Sequence, residues 1–194
     1  MKHYLLFLLM VFPMVSHAQR LEKGYHGFAD AGYIYFTESV DPATIEISTT
    51  HGYQFNPFIF LGAGTGFDFS GKYKKGDVSG YPFKKRESKV DIPVFFNFRA
   101  NLTKTKLSPF VDIRFGAYVN SNSEEYSMLN VGARYGINET IGLFFSVGYM
   151  NRKITVEELN MTIGDKYNGY RTDYYYNDHK ESTGGFIFKI GVDF

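Results

Sequence analysis

The chain has 194 residues and contains no cysteine and no tryptophan. The absence of cysteine excludes a structural disulfide, a thiolate metal site and a lipid anchor attached through a thiol. No stretch beyond the amino-terminal segment reaches the roughly 18–20 apolar residues of a membrane helix, which excludes a helical inner-membrane protein. A basic surface is also lacking, because 20 Lys and Arg balance 20 Asp and Glu after residue 18. Nucleic acid is therefore not an expected partner.

Residues 1–18 have the composition of an export signal. A short basic start at Lys2 is followed by an apolar run that is too short to span a bilayer. Small residues at Ser16 and Ala18 precede Gln19, as at a signal cleavage site. An amphipathic first helix is the alternative, but almost no polar residue interrupts the run. We predict a signal peptide over 1–18 and one mature domain over 19–194.

Eight later segments alternate apolar and polar residues with the period of two that is typical of β-strands. They are predicted at 25–37, 44–56, 58–70, 88–101, 109–120, 126–137, 141–152 and 184–194. In the last, alternate residues from Phe186 to Phe194 are apolar, as in a strand that faces lipid. The second segment is the weakest, because Thr49 and His51 fall on its apolar side. A bulge, or a stretch lifted above the membrane, is expected there.

The connections between these segments alternate between long and short. Loops are predicted near 38–43 and 121–125, the latter brief, and long ones at 71–87 and 153–183; between them come tight turns at 56–57 and 138–140 and a connection at 102–108 that is shorter than the loop before it. This alternation is typical of a barrel with loops at one end and tight turns at the other. The sequence therefore predicts an all-β fold, an eight-stranded antiparallel up-and-down transmembrane β-barrel with both ends in the periplasm. A periplasmic lipocalin-like barrel is the alternative, and the loop asymmetry and abundant tyrosine weigh against it.

Charged residues recur on the faces opposite the apolar ones. The predicted inward charges are Asp30, Glu46, Asp68, Asp91, Arg99, Asp112, Arg114, Arg134, Lys189 and Asp193. A lumen of eight strands is only just wide enough to be filled by side chains, and buried charges are tolerable when they are paired. We predict that salt bridges among these residues plug the lumen. A catalytic or proton-relay role for the carboxylates is the alternative.

Other candidate sites are weaker. His26, His51 and His179 are far apart and lack the spacing of metal ligands, so neither a metal nor a cofactor is expected. Eight-stranded outer-membrane deacylases that act on lipid A use a strand-borne His-x-Ser pair with an acidic partner. The nearest approach here joins His179 to Ser182 in a predicted loop, with the wrong spacing. We therefore predict no catalytic residues.

One segment is a candidate binding surface. The predicted loop 153–183 contains Tyr167, Tyr170, Arg171, Tyr174, Tyr175 and Tyr176. Tyrosine provides a large contact area at low entropic cost, and arginine suits sugar or phosphate. In the other long loop, 71–87, lysine and arginine suit anionic lipopolysaccharide. Alternatively, the tyrosines form part of the outer interface belt or extend the strands above the membrane.

Several short motifs carry a family resemblance. They are Gly52–Pro57 leading into Phe60–Gly64, then Ile92–Phe96, Pro109–Ile113 and Gly191–Phe194. The chain resembles the Bacteroidetes-type outer-membrane β-barrel family, which is porin-like and similar to OmpA/OmpX-type barrels. The resemblance implies a Gram-negative outer membrane, lipid and lipopolysaccharide as neighbours, and a structural role without catalysis.

The last strand also indicates how the chain would be assembled. Its terminal aromatic, Phe194, is expected to act as an assembly signal for the barrel-assembly machinery during biogenesis. Surface binding or adhesion through 71–87 and 153–183 is the alternative function, and a lipid-modifying enzyme is a more distant one.

Overall fold

The computed structural model describes residues 23–37, 43–71, 88–120, 125–138, 140–165 and 170–194, with only the backbone described within 154–181. The predicted signal peptide lies outside these ranges. All regular structure within them is β-strand, so the predicted all-β class is confirmed. The described part of the chain contains no helix that is both long and apolar enough to cross a membrane.

Eight antiparallel strands close into a barrel. The strands are β1 Gly24–Phe36, β2 Thr44–Asn56, β3 Ile59–Ser70, β4 in two segments (Lys89–Asp91 and Pro93–Asn101), β5 Leu107–Tyr118, β6 Tyr126–Gly136, β7 Gly142–Asp165 and β8 Tyr170–Asp193. Each strand pairs with the next along the chain, and β8 pairs with β1. The predicted eight-stranded up-and-down topology is therefore confirmed.

Asparagine side chains fix two of the tight turns. Asn56 Oδ1 accepts hydrogen bonds from the backbone N–H groups of Phe58 and Ile59, at 2.9 and 3.0 Å. Asn138 Oδ1 accepts in the same way from the amides two and three residues later, at 2.9 and 2.6 Å. Asn side chains favour turns because they can replace a backbone acceptor. Both turns lie at one end of the barrel, where the short connections were predicted.

The fourth strand is interrupted at Ile92, before Pro93. Proline has no N–H to contribute to the ladder. The side chain of Asn120 bridges the interruption: its Oδ1 accepts from Ile92 N at 2.7 Å, and its Nδ2 donates to Val90 O at 2.8 Å. The two segments of β4 therefore continue as one strand of the wall.

The expected irregularity in β2 at Thr49 and His51 is absent. Pairing with β1 and β3 runs unbroken through both residues, and the register shifts only between Gln54 and Asn56, at the turn. The predicted bulge was therefore wrong, whereas the alternative, a stretch lifted above the membrane, stays a prediction. Both side chains find polar partners on the outer surface, so the strand does not need to deform.

The prediction of a long loop over 153–183 was also wrong. β7 continues to Asp165 and β8 begins at Tyr170, with continuous pairing between them. The apolar side of the alternation weakens beyond Arg152, but a hairpin ladder is formed by backbone hydrogen bonds and does not require an apolar face. The predicted loop at 71–87 lies outside the described residues from position 72 onward.

The two faces of the wall differ sharply. On the outward face, large apolar side chains that are 38–66% exposed occur on all eight strands. The inward face is buried and contains two apolar clusters. The first, near the tight turns, comprises Phe28, Phe60, Phe110 and Phe144. The second, towards the other end, comprises Ile34, Phe36, Phe95, Tyr118, Tyr126, Met128, Met150 and Ile187. Charged side chains contact both clusters: Arg99 lies over Phe28 of the first, and Arg114 lies 4.9 Å from the ring centroid of Phe95 in the second.

Candidate functional site

All ten predicted inward charges are buried, each at most 4% exposed. Arg114 on β5 is the most extensively bonded of them. Its guanidinium donates to Asp30 Oδ2 at 2.6 Å and to Ser48 Oγ at 2.8 Å. It also lies 3.5 Å from Glu46 Oε1 and 3.3 Å from Asp112 Oδ1. This single side chain therefore links β5 to β1 and β2 across the lumen.

Lys189 on β8 neutralises the same carboxylates from another side. Its ammonium donates to Asp30 Oδ1 at 3.1 Å and also to Glu46 Oε1. Asp30, Glu46, Arg114 and Lys189 are referred to below as the central cluster. Two acids and two bases meet in it, so their formal charges cancel. Buried charges are tolerated under this condition.

Arg99 connects the charged residues to the first apolar cluster, the one near the tight turns. Its Nε donates to Asp112 Oδ2 at 2.9 Å. The guanidinium carbon lies 3.9, 4.3 and 4.6 Å from the ring centroids of Phe28, Phe110 and Phe144. A cation over aromatic faces is stabilised by their quadrupoles, most strongly where water is excluded. The aromatic rings and the ion pair therefore both fix the position of the Arg99 side chain.

Three carboxylates occupy one row across neighbouring strands. Glu46 pairs in register with Asp68, and Asp68 with Asp91. Like charges directly opposite each other destabilise a sheet. Different partners offset this repulsion: Glu46 belongs to the central cluster, Asp68 accepts from Tyr118 Oη at 2.7 Å, and Lys89 lies 2.8 Å from Asp91.

The ten predicted charges therefore form one connected group of six and one pair, while Asp68 and Asp91 have partners outside the predicted set. The group contains the central cluster together with Asp112 and Arg99. Near the tight turns, Arg134 pairs with Asp193 alone. Among the described residues, no group of three or more His, Asp or Glu side chains has the arrangement of a metal site.

Sequence reasoning missed the apolar part of the lumen and one inward charge. Arg152 is 2% exposed and lies 4.4 Å from the ring centroid of Phe36. The signal was present, because Phe28 has the same position in the alternation as Asp30, and Phe110 the same as Asp112. These phenylalanines therefore lie on the inward face together with the charged residues.

A chain of hydrogen bonds on the outer surface accommodates the polar residues of β2. Tyr25 Oη lies 2.5 Å from His51 Nδ1, and Thr49 Oγ1 lies 2.9 Å from His51 Nε2 and 3.2 Å from Phe28 O. The carbonyl only accepts, so the Thr49 hydroxyl donates to it and accepts a hydrogen bond from Nε2–H of His51, and Nδ1 then accepts from Tyr25 Oη. In this arrangement His51 has no free acceptor nitrogen to take a proton from Thr49. The pair therefore lacks the geometry of a nucleophile and its base.

Phe194 closes the seam between β8 and β1. Its backbone exchanges hydrogen bonds with Gly27, at 2.7 and 2.9 Å. Its ring lies so close to Gly27 that a Cβ added there would come within 2.6 Å of the ring. The ring also meets His51 edge to face, with centroids 6.2 Å apart. Glycine at position 27 is what allows this aromatic side chain to lie across the seam.

Deleting Phe194 is expected to lower the yield of assembled barrel, because the seam loses two hydrogen bonds and the covering ring. Gly27→Val should act similarly from the other side of the seam. The yield is measured as the heat-modifiable band of unboiled membrane samples on a gel. Phe194→Tyr, which keeps the ring, is the control and should assemble normally. Normal yield of the deleted chain would contradict the role of Phe194.

The candidate surface residues lie on a strand. Positions 170, 171, 174, 175 and 176 belong to β8, where Arg171 pairs with Gly164 and Tyr174 with Met161. Tyr167 lies outside the described residues. The alternative that these tyrosines extend the strands therefore matches the backbone.

The outer wall carries one further feature, a groove of about 700 Å³. Small residues on β1, Ala29 and Ala31, form part of its lining, with Ile47, Phe145 and Val192 around them. It lies in the apolar belt.

No protein-family model matches this chain, and no curated protein matches its sequence.

Proposed function

We propose that this protein is an integral outer-membrane β-barrel of a Gram-negative bacterium, with a structural role and no catalysis. The observation that carries the proposal is the exposed apolar surface on all eight strands. Proteins in water rarely expose contiguous apolar patches of more than a few hundred Å². In a bilayer the same surface is in its preferred solvent, and the polar groups inside need no lipid partner.

The positions of exposed tyrosines support this reading. On β1, Tyr25 lies near the tight-turn end and Tyr35 near the other, both more than half exposed. About ten residues at roughly 3.3 Å each, on a strand tilted by about 40°, span roughly 25 Å along the barrel axis. That is the height of the apolar band in outer-membrane barrels, which aromatic residues flank at both interfaces.

We further propose that the lumen is closed to ions. Two apolar clusters occupy different ends of the lumen, and their side chains are buried together with the charged ones. A membrane-spanning wall whose interior is filled in this way contributes to the integrity of the membrane rather than to transport. The acids of the central cluster are held by two cations, which argues against a role for them in acid–base chemistry.

Two measurements test the proposal. The protein should remain in the membrane pellet after washing with alkaline carbonate, which removes peripheral proteins. In planar bilayers it should show no steady conductance, because a closed lumen offers ions no path. Release by carbonate would contradict membrane insertion. A large and steady conductance in an inserted sample would contradict only the closed lumen.

Surface binding is a second candidate function. It is favoured by the part of the β7–β8 hairpin that extends beyond the neighbouring strands, because such a ribbon presents two faces and two edges to its surroundings. Deleting residues 154–180 should then abolish binding of a ligand and leave the barrel assembled. Unchanged binding by the deleted variant would contradict this function for the hairpin.

A further inference from the structure

The groove on the outer wall follows two neighbouring rows of side chains across the sheet. The first row crosses five strands, and each residue is the register partner of the next: Ile47 on β2, Ala31 on β1, Ile190 on β8, Phe145 on β7 and Ala133 on β6. The second row runs beside it from Ala29 to Tyr135. Both rows line the groove, whose volume of about 700 Å³ is comparable with that of sites for drug-sized ligands.

The groove runs from the rim of the barrel into the apolar belt. Tyr135 lies one residue before the end of β6 at Gly136, which adjoins a tight turn. Ile47, at the opposite end of the groove, lies nine residues from the tight-turn end of β2 at Asn56. Aromatic residues flank the apolar band of outer-membrane barrels at the interfaces. A ligand along the groove would therefore have one end near the membrane surface and the rest within the hydrocarbon region.

One cation lies at the rim end of the groove. Lys106 Nζ is 5.1 Å from the ring centroid of Tyr135, and the backbone N–H of Gly136 donates to Lys106 O at 2.8 Å. The hydrogen bond anchors the lysine backbone beside the end of β6, and the contact with the ring holds the ammonium next to the groove. Among the described residues, no carboxylate forms an ion pair with Lys106.

We propose that this groove binds an anionic phospholipid of the surrounding bilayer, with one acyl chain along the groove and the phosphate beside Lys106. The inference rests on the proposed insertion in a membrane. The order of polarity along the groove matches that of a lipid. Its apolar length lies in the belt, where acyl chains lie, and its cation lies at the rim, where the phosphates of a bilayer lie.

The charge of Lys106 determines which phospholipid is preferred. The headgroup of phosphatidylglycerol has a net negative charge, whereas that of phosphatidylcholine carries its own cation beside the phosphate. The lysine therefore attracts the first more strongly than the second. One lysine near an anionic membrane surface strengthens binding by about fivefold, which sets the expected preference.

Retention of lipid by the purified barrel measures this preference. The protein in a mild detergent is mixed with dioleoyl phosphatidylglycerol or, in a separate sample, dioleoyl phosphatidylcholine, and bound lipid is counted by native mass spectrometry. The unaltered chain is expected to retain phosphatidylglycerol about five times as often as phosphatidylcholine. Lys106→Gln should lower this ratio to about one, because the glutamine has no charge.

Lys104→Gln is the matched control for the cation. Lys104 lies in the same connection and makes the same kind of contact, 5.0 Å from the ring centroid of Phe58, but that ring does not line the groove. The variant should therefore keep the preference of the unaltered chain.

A second pair of variants tests the groove itself. Ala31→Phe fills the groove and should lower the retention of both lipids several-fold. Ala63→Phe is its control, because Ala63 is also exposed on the outer wall but does not line the groove. It should retain both lipids as the unaltered chain does.

Equal losses of preference in Lys106→Gln and Lys104→Gln would overturn the proposal, as would undiminished retention by Ala31→Phe. Retention of lipopolysaccharide in place of phosphatidylglycerol would overturn it too, because the occupant would be another lipid. Each variant is washed with carbonate in the membrane and checked for the heat-modifiable band before extraction. Release by carbonate contradicts membrane insertion. An inserted, folded barrel without selective retention contradicts the lipid site alone.

Discussion

Arg114→Leu is expected to lower the free energy of unfolding by on the order of 3–5 kcal/mol, because it removes one partner from a buried ion group. Arg114 is 1% exposed, and its loss leaves the carboxylates of Asp30 and Asp112 in the lumen with fewer cations. The measurement is a urea titration of the barrel folded in lipid vesicles. The chain has no tryptophan, so the transition is followed by circular dichroism or by the mobility of unboiled samples.

Lys153→Leu is the matched control. It also removes one cation from an ion pair, but Lys153 and its partner Glu125 are exposed, with 2.7 Å between Nζ and Oε1. Exposed pairs contribute about 0–1 kcal/mol. Adding Asp30→Asn to Arg114→Leu should restore part of the stability, because it removes a charge that has lost its main partner. Equal losses for Arg114→Leu and Lys153→Leu would show that the lumen is open to water.

Ile190→Arg is expected to cost about 2–4 kcal/mol, the penalty for arginine at the middle of a bilayer on the lipid face of a barrel. Ile190 is 65% exposed and lies halfway along the outward face of the barrel part of β8. Its exposure means that the substitution disturbs little packing. The cost therefore comes from the solvent that surrounds the barrel, and the same urea titration measures it.

Leu102→Arg is the control that shows whether the surface around Ile190 faces lipid or water. Leu102 is 61% exposed, nearly the same as Ile190, but it lies in the connection between β4 and β5 at the end of the barrel. Near an interface arginine costs about 0–1 kcal/mol. A barrel in water would tolerate both substitutions about equally. Similar small losses for Ile190→Arg and Leu102→Arg would therefore contradict membrane insertion.

The sequence predicted the strands of the wall well because both faces carry strong signals. In the last strand, Ile190 and Lys189 differ so sharply in polarity that the alternation reports directly which face is buried. The tight turn at Asn56 was predictable for a local reason, since its side chain satisfies the next amides. Of the interior charges, Asp30, Glu46, Arg114 and Lys189 were each predicted to face inward. Their mutual distances depend on strand tilt and register, which no local pattern encodes.

The errors at 153–183 and in β2 share a physical cause. Alternation of apolar and polar residues indicates which face of a strand is buried, whereas the strand itself is defined by backbone pairing. Beyond Arg152 the sequence loses its apolar alternation and resembles a loop, although the backbone of β7 and β8 stays paired. In β2, His51 looked incompatible with a regular outward face because its partners, Tyr25 and Thr49, are recognisable only once the strands are paired. Hydrogen bonds between side chains on neighbouring strands are invisible to a one-strand pattern.

The location of the central cluster also governs how the chain assembles. Asp30 lies on the first strand, Arg114 on the fifth and Lys189 on the eighth, so their contacts exist only when all eight strands have formed a ring. An incomplete sheet would hold these charges apart and leave two edges without partners. Because these favourable contacts arrive with the closing step, half-built barrels should not accumulate. Closure of the ring and formation of the central cluster are therefore expected to occur together.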